Sequence, residues 1–378
     1  MSVIDPRDQL ICLRAGDDLS ESGGMVLPPI AQASIFRKET MEELHRELGQ
    51  EHLATVYSRG TNPTVRVLER TLAELERGEA CKCFASGMGA IGALLFGLLK
   101  AGDHVLFVND IYGPTLQLAQ KLEDFGVSHD HILGGSVEEV AAALRDETRM
   151  IYLESPGSML FGRVDVEGIA ALAKARGVLS AIDNTVSTPL LQKPITLGVD
   201  LVIHSCSKYI GGHSDAIGGA LVGPEDLLER IFYDAYLLLG ARMPPFEAWL
   251  FLRGLMTLPA RMERHRADGL EVARFLKAHP AVARVFHPEL EGNAGAHSGL
   301  FSFELGEGGF QRAVEVANRL KLFGNAVSWG GAESLVMTGH KFDPAGGPEP
   351  RLPASLLRLS VGLEGAQALI DDLAAALG

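Results

Sequence analysis

The sequence predicts an α/β protein in which helices cover both faces of a mostly parallel sheet. Three observations carry that expectation. Between about residues 80 and 232, short apolar runs alternate with helical periodicity, the pattern of repeated strand-helix units. The runs Val105-Leu106-Phe107-Val108 and Met150-Ile151-Tyr152-Leu153, with residues 178–182 and 201–204, are continuous, as expected of strands buried on both sides. Hydroxyl, glycine and charged residues follow these runs, at the carboxyl ends where open α/β sheets bind ligands.

In chain order, residues 1–55 lack this alternation and read as an N-terminal arm, broken at Gly23-Gly24 and Pro28-Pro29. Cys81-Lys82-Cys83-Phe84-Ala85 reads as a strand, Ser86-Gly87-Met88-Gly89-Ala90 as a small-residue turn, and residues 91–99 as a helix. A strand, a small-residue turn and a helix N-terminus together make a cradle of backbone donors suited to a phosphate. The same small residues also ease tight strand-to-helix packing. Helical stretches at 116–125 and 166–175 separate the next strands. Composition changes near residue 253: a basic helix at 261–279, strands at 282–286 and 300–305, a helix at 310–320 and a terminal helix from Gly365 predict a smaller α+β domain over 253–378, after a ligand-binding domain over 56–252. Residues 340–353, rich in Gly and Pro, read as a loop near the substrate mouth.

Lys208 gives this scaffold its chemistry. It follows the run Asp200-Leu201-Val202-Ile203-His204 and Ser205-Cys206-Ser207, and precedes Tyr209-Ile210-Gly211-Gly212. An amine delivered to a sheet edge among hydroxyls can be neutralised by covalent bonding to an aldehyde cofactor, for which pyridoxal 5'-phosphate is the candidate. The plainer alternative is a lysine snorkelling into water. A pyridoxal ring also needs a carboxylate facing its nitrogen. Asp183, at the end of residues 178–182 and before Asn184-Thr185, is the candidate, with an Asx turn as the alternative use of the same residues. Ser205 and Ser207 can add hydroxyls to a phosphate cradle at Ser86, Gly87 and Met88.

The ordered segments Tyr57-Ser58-Arg59-Gly60-Thr61-Asn62-Pro63-Thr64, Ser86-Gly87-Met88, Tyr112-Gly113, Glu154-Ser155-Pro156, Asp183-Asn184-Thr185, residues 205–212, Ser328-Trp329-Gly330-Gly331 and Arg358-Leu359-Ser360-Val361-Gly362 span nearly the whole chain. Together they resemble the pyridoxal-phosphate enzymes of cysteine and methionine metabolism, the trans-sulfuration family. The resemblance implies an aminotransferase-like fold (fold type I), with Lys208 bonded to the cofactor's aldehyde and Asp183 paired with its ring nitrogen. It implies Tyr112 stacked on the ring, and Ser86, Gly87, Met88, Ser205 and Ser207 around the phosphate. Tyr57 and Arg59 would reach the phosphate of a neighbouring subunit in a homotetramer built from two dimers. Arg358 would clamp the substrate carboxylate, beside Ser328, Trp329, Tyr112 and Tyr57.

Three segments resemble the bacterial cystathionine β-lyase branch: Glu154-Ser155-Pro156-Gly157-Ser158, Ser328-Trp329-Gly330-Gly331 and Gly211-Gly212-His213-Ser214-Asp215-Ala216. Val327 departs from that branch's Tyr and from the acidic residue of the γ-synthases and γ-lyases, which leaves the distal substrate contacts open. The expected reaction is β-elimination from an amino-acid thioether, converting L-cystathionine to homocysteine, pyruvate and ammonia. Lys208 would move the Cα proton, and Tyr112 would assist proton transfer or only stack. The alternatives are a γ-type member of the family and, from another class, a non-catalytic module that binds cofactor or amino acid. The second sits poorly with an intact Lys208 and Asp183. A nicotinamide dehydrogenase lacks the early G-x-G-x-x-G turn.

Bulk properties fit this reading. The 378 residues are 47% hydrophobic and 22% charged, enough for two or three domains with a large core. The net charge of −14 argues against general binding to nucleic acid or anionic membranes. The most apolar stretch, 90–99, is shorter than the roughly 20 residues of a membrane span, and the polar, proline-broken start carries no signal segment, so a cytoplasmic location is expected. Four cysteines make no disulfide framework in a chain this long, and Cys81 and Cys83 have no second pair to complete a zinc site, so no metal is expected. No internal repeat or low-complexity tract is present.

Overall fold

A computed structural model describes residues 4–16, 24–292, 297–340 and 352–378. Seven strands form the larger sheet: β1 (Ala80–Phe84), β2 (His104–Val108), β3 (Ser128–Ile132), β4 (Thr148–Glu154), β5 (Leu179–Asp183), β6 (Leu201–Ser205) and β7 (Gly219–Gly223). Their spatial order is β1-β7-β6-β5-β4-β2-β3. Strands β2 to β6 pair in parallel, while β7 is antiparallel to both neighbours. A mostly parallel sheet needs crossover helices on its two faces. They bury one apolar cluster around Ile151, Ile182 and Val202, and another around Tyr152, Ala181 and Ile203.

The caps explain where several of these helices begin. Asn62 accepts from Thr64 N–H ahead of Pro63–Glu76, which also has proline at its first position. Ser86 accepts from Gly89 N–H at the start of Gly87–Leu98, and Asp165 from Gly168 N–H at the start of Val166–Arg176. The helix Gly87–Leu98 directly follows β1, so its N-terminus lies at the carboxyl end of that strand.

A second sheet has the order β10-β11-β12-β9-β8, where β8 is Val282–Phe286, β9 Leu300–Leu305, β10 Gly324–Asn325, β11 Leu335–Thr338 and β12 Leu356–Ser360. The helices Gly309–Arg319 and Ala366–Leu377 pack on it around Phe301, Phe303 and Leu373.

The structure differs from the sequence expectations in three places. The stretch expected to be an arm contains the helices Pro6–Leu13 and Met41–Leu48, and Ile4, Cys12 and Ala15 are buried in the main core. The helix expected at 261–279 is the second half of one 34-residue helix, Pro245–Ala278, which carries Pro259 in its interior and crosses the expected 252/253 boundary. Strand β3, at the edge of the large sheet, and β7, between β1 and β6, lie at positions where no strand was expected. The loop expected at the substrate mouth falls mainly at 341–351, outside the described residues.

Candidate active site

The carboxyl ends of the central strands bring together most of the residues singled out in the sequence. Asp183 ends β5, Ser205 ends β6, and Glu154 ends β4. Lys208 lies in the turn after β6, where its N–H donates to Ser205 O. Its Nζ donates to Ser328 Oγ at 2.5 Å and sits 5.5 Å from the centre of the Trp329 ring, which in turn packs on Tyr209. Burial, aided by the Arg358 charge, pulls the Lys208 amine down to about 8. About a tenth of it is therefore uncharged at pH 7, far more than for an ordinary lysine amine, and this neutral form is the one a nucleophile or base requires.

Asp183 shows that an Asx turn and a site carboxylate are compatible. Thr185 donates to Asp183 Oδ1 through both its N–H (3.0 Å) and its hydroxyl (2.5 Å), and the same hydroxyl accepts from Ser205 N–H at 2.8 Å. Burial raises the Asp183 carboxyl, while the two Thr185 bonds, His204 and Lys208 pull it back. Thr185 went unassigned in the sequence, although a threonine two residues after the aspartate was the available signal.

The Ser86 turn is tightly built. Ser86 Oγ caps the helix Gly87–Leu98, and a Cβ on Gly87 would lie 3.1 Å from Ser205 Cβ, so glycine lets the two turns approach. Ser207 Oγ is fixed against Gly218, donating to its O at 3.2 Å and accepting from its N–H at 3.0 Å. Met88 packs its side chain into the core beneath the turn. Backbone donors at a helix N-terminus, flanking hydroxyls, a buried carboxylate and a partly neutral lysine are the donor set that pyridoxal phosphate needs.

Around this cluster, Tyr112 is half exposed, and its N–H donates to Glu154 Oε2 at 2.8 Å. The second Glu154 oxygen accepts from Ser158 Oγ, and burial with the Asp183 charge raises the Glu154 carboxyl well above its usual range. Arg358, on β12, is buried and donates to Ser158 O at 3.4 Å. Burial pulls its guanidinium down to about 10. Tyr57 and Arg59 sit elsewhere on the chain: the guanidinium lies 5.3 Å from the Tyr57 ring, and both residues line a cavity of about 330 Å³ with Ser34, Gly240, Arg242 and Pro245. The cavity walls include none of Lys208, Asp183, Tyr112 or Arg358.

The family model for Cys/Met metabolism PLP-dependent enzymes matches residues 9–378. The chain belongs to this family. An L-methionine gamma-lyase from Pseudomonas putida is 38% identical, with 96% of this chain and 95% of that protein aligned. A cystathionine beta-lyase from Lactococcus lactis subsp. cremoris is 36% identical over 97% of each chain. The crystal structure of metB from Corynebacterium glutamicum superposes with a TM-score of 0.90 at 33% identity over 99% of each chain. A metY structure from Campylobacter jejuni subsp. jejuni, at TM-score 0.89 and 29% identity over 98% of this chain and 99% of that one, contains N'-pyridoxyl-lysine-5'-monophosphate. The chain is thus a pyridoxal-phosphate-dependent lyase-family enzyme with the fold type I architecture expected from the resemblance.

Proposed function

We propose that this enzyme is a carbon-sulfur β-lyase that cleaves L-cystathionine, with water, to homocysteine, pyruvate and ammonia. Pyridoxal phosphate, bonded to Lys208, supplies the electron sink when bound. Asp183 would hold the proton on its ring nitrogen, Tyr112 would cover the ring, and Ser86, Gly87, Met88, Ser205 and Ser207 would hold the phosphate. Arg358 grips the substrate's α-carboxylate. Lys208, free once the substrate amine has taken its place, would remove the Cα proton, and the Cβ–S bond would break with its electrons on sulfur, which takes up a proton to leave as the thiol. Tyr57 and Arg59 complete the phosphate site of a partner subunit, in a tetramer made of two dimers.

The observation that carries this reading is the Lys208 amine tethered by Ser328 against Trp329, with its basicity lowered towards neutrality. A β-elimination removes one proton, at Cα, so a base held at one position suffices. A γ-type reaction needs further proton transfer at Cβ. The second reading, a γ-lyase, is favoured by the relative named L-methionine gamma-lyase. Product analysis with L-cystathionine separates the two. Pyruvate with homocysteine supports the β-lyase, whereas 2-oxobutyrate with cysteine assigns the γ-lyase.

A further inference from the structure

A fully buried carboxylate is bonded to the residues that adjoin Asp183 and Ser205 in sequence. Glu76 ends the helix Pro63–Glu76, at the helix terminus where the dipole disfavours negative charge, and is 0% exposed. Its Oε1 pairs with His204 Nε2 at 2.6 Å and accepts from Asn184 Nδ2 at 2.9 Å. Asn184 also donates to Gln192 O at 2.9 Å and accepts from Gln192 Nε2 at 3.0 Å. Gln192 Nε2 reaches on to Ser155 O at 3.0 Å.

The residues gripped are not scattered through the core. Asn184 follows Asp183, His204 precedes Ser205, and Ser155 follows Glu154. His204 and Ser205 are successive residues of β6 and point to opposite faces, and the same network grips the residues that directly follow the ends of β4 and β5.

We propose that Glu76 is a positioning residue for the cofactor: through Asn184 and His204 it fixes the ends of β5 and β6, and with them the Asp183 carboxylate and the Ser205 phosphate contact. The inference rests on the pyridoxal-phosphate reading above. His204 is also among the groups that hold the Asp183 carboxyl down against its burial. In a buried polar network the members are coupled, so the loss of one is felt by the groups the others hold.

The test uses the full-length enzyme, stripped of cofactor and reloaded with pyridoxal phosphate. Glu76→Gln keeps the side chain's size and removes its charge. If it folds, its dissociation constant for pyridoxal phosphate should rise by about tenfold or more, as for losses behind a first ligand shell. In the loaded variant, the resonance of isotope-labelled pyridine nitrogen should move towards the unprotonated form. A folded variant with wild-type affinity and wild-type nitrogen protonation overturns the proposal. If Glu76→Gln fails to fold, the wild-type protein decides by linkage: loading should shift the His204 ring-nitrogen resonances, and unchanged resonances overturn the proposal. Failure of the wild-type apoprotein to take up pyridoxal phosphate at Lys208 would instead sink the functional reading.

Discussion

At the scale of single residues, Lys208 and Asp183 are tuned in complementary senses. Burial makes the lysine easier to deprotonate and the aspartate harder to ionise, while Thr185 returns Asp183 towards its charged form. With its amine brought down to about 8, the fraction of neutral Lys208 in the apoprotein should rise with pH through that value. The rate of aldehyde capture should therefore climb between pH 7 and 9 and level off above, as measured by stopped-flow absorbance. A midpoint near 10 would mean that burial does not tune the amine. Asp183→Asn should lower turnover by at least about a hundredfold, because an amide cannot hold a proton on the ring nitrogen as a carboxylate does. Near-normal steady-state rates would place that nitrogen's partner elsewhere.

At the scale of elements, the site is a junction of strand ends and one helix N-terminus, and glycines permit its closest contacts. A Cβ on Gly219 of β7 would lie 2.3 Å from Ser86 O, a backbone atom that cannot swing aside. Gly219→Ala should therefore destabilise the protein by roughly 1–3 kcal/mol, the usual cost of overpacking, read from urea unfolding. An unchanged midpoint would show that β7 can shift freely. Helix Pro245–Ala278 carries a pH effect through His265, which pairs with Val361 O at 2.8 Å and is driven by burial down to about 4. Between about 4 and the ordinary 6.5, the unfolded chain binds more protons at this residue. Its stabilising contribution is thus complete above 6.5 and lost as pH falls towards 4. The urea midpoint of His265→Asn should fall less between pH 7 and 5 than that of the wild type. An equal or larger fall would contradict the assignment.

The same elements show what the sequence made legible. Strands β2, β4, β5 and β6 are buried on both faces and stand out as apolar runs. Edge strand β3, Ser-His-Asp-His-Ile, is polar and half exposed, and β7 is bounded by glycines, so neither carries the usual strand pattern. Pro259 reads as a helix break, yet the surrounding core keeps Pro245–Ala278 continuous through it. In the site, Lys208 and Asp183 were visible because their neighbours in sequence are also their neighbours in space. Glu76 was not, since His204 lies 128 positions away and only the fold brings the two together.

At the scale of the whole molecule, the proposal that Tyr57 and Arg59 complete a partner subunit's site makes a prediction of its own. Mixing inactive Arg59→Ala with inactive Lys208→Ala after dissociation and reassembly should restore part of the activity, because some shared sites then carry neither defect. No recovery despite proven subunit exchange would return Arg59 to a role on its own chain. The central claim is that this two-sheet fold presents Lys208 as the lysine that bonds pyridoxal phosphate. Borohydride reduction of the loaded enzyme followed by peptide mass mapping tests it most directly. A single pyridoxyl label should appear on the peptide containing Lys208 and be absent from Lys208→Ala. A label on another lysine would contradict it.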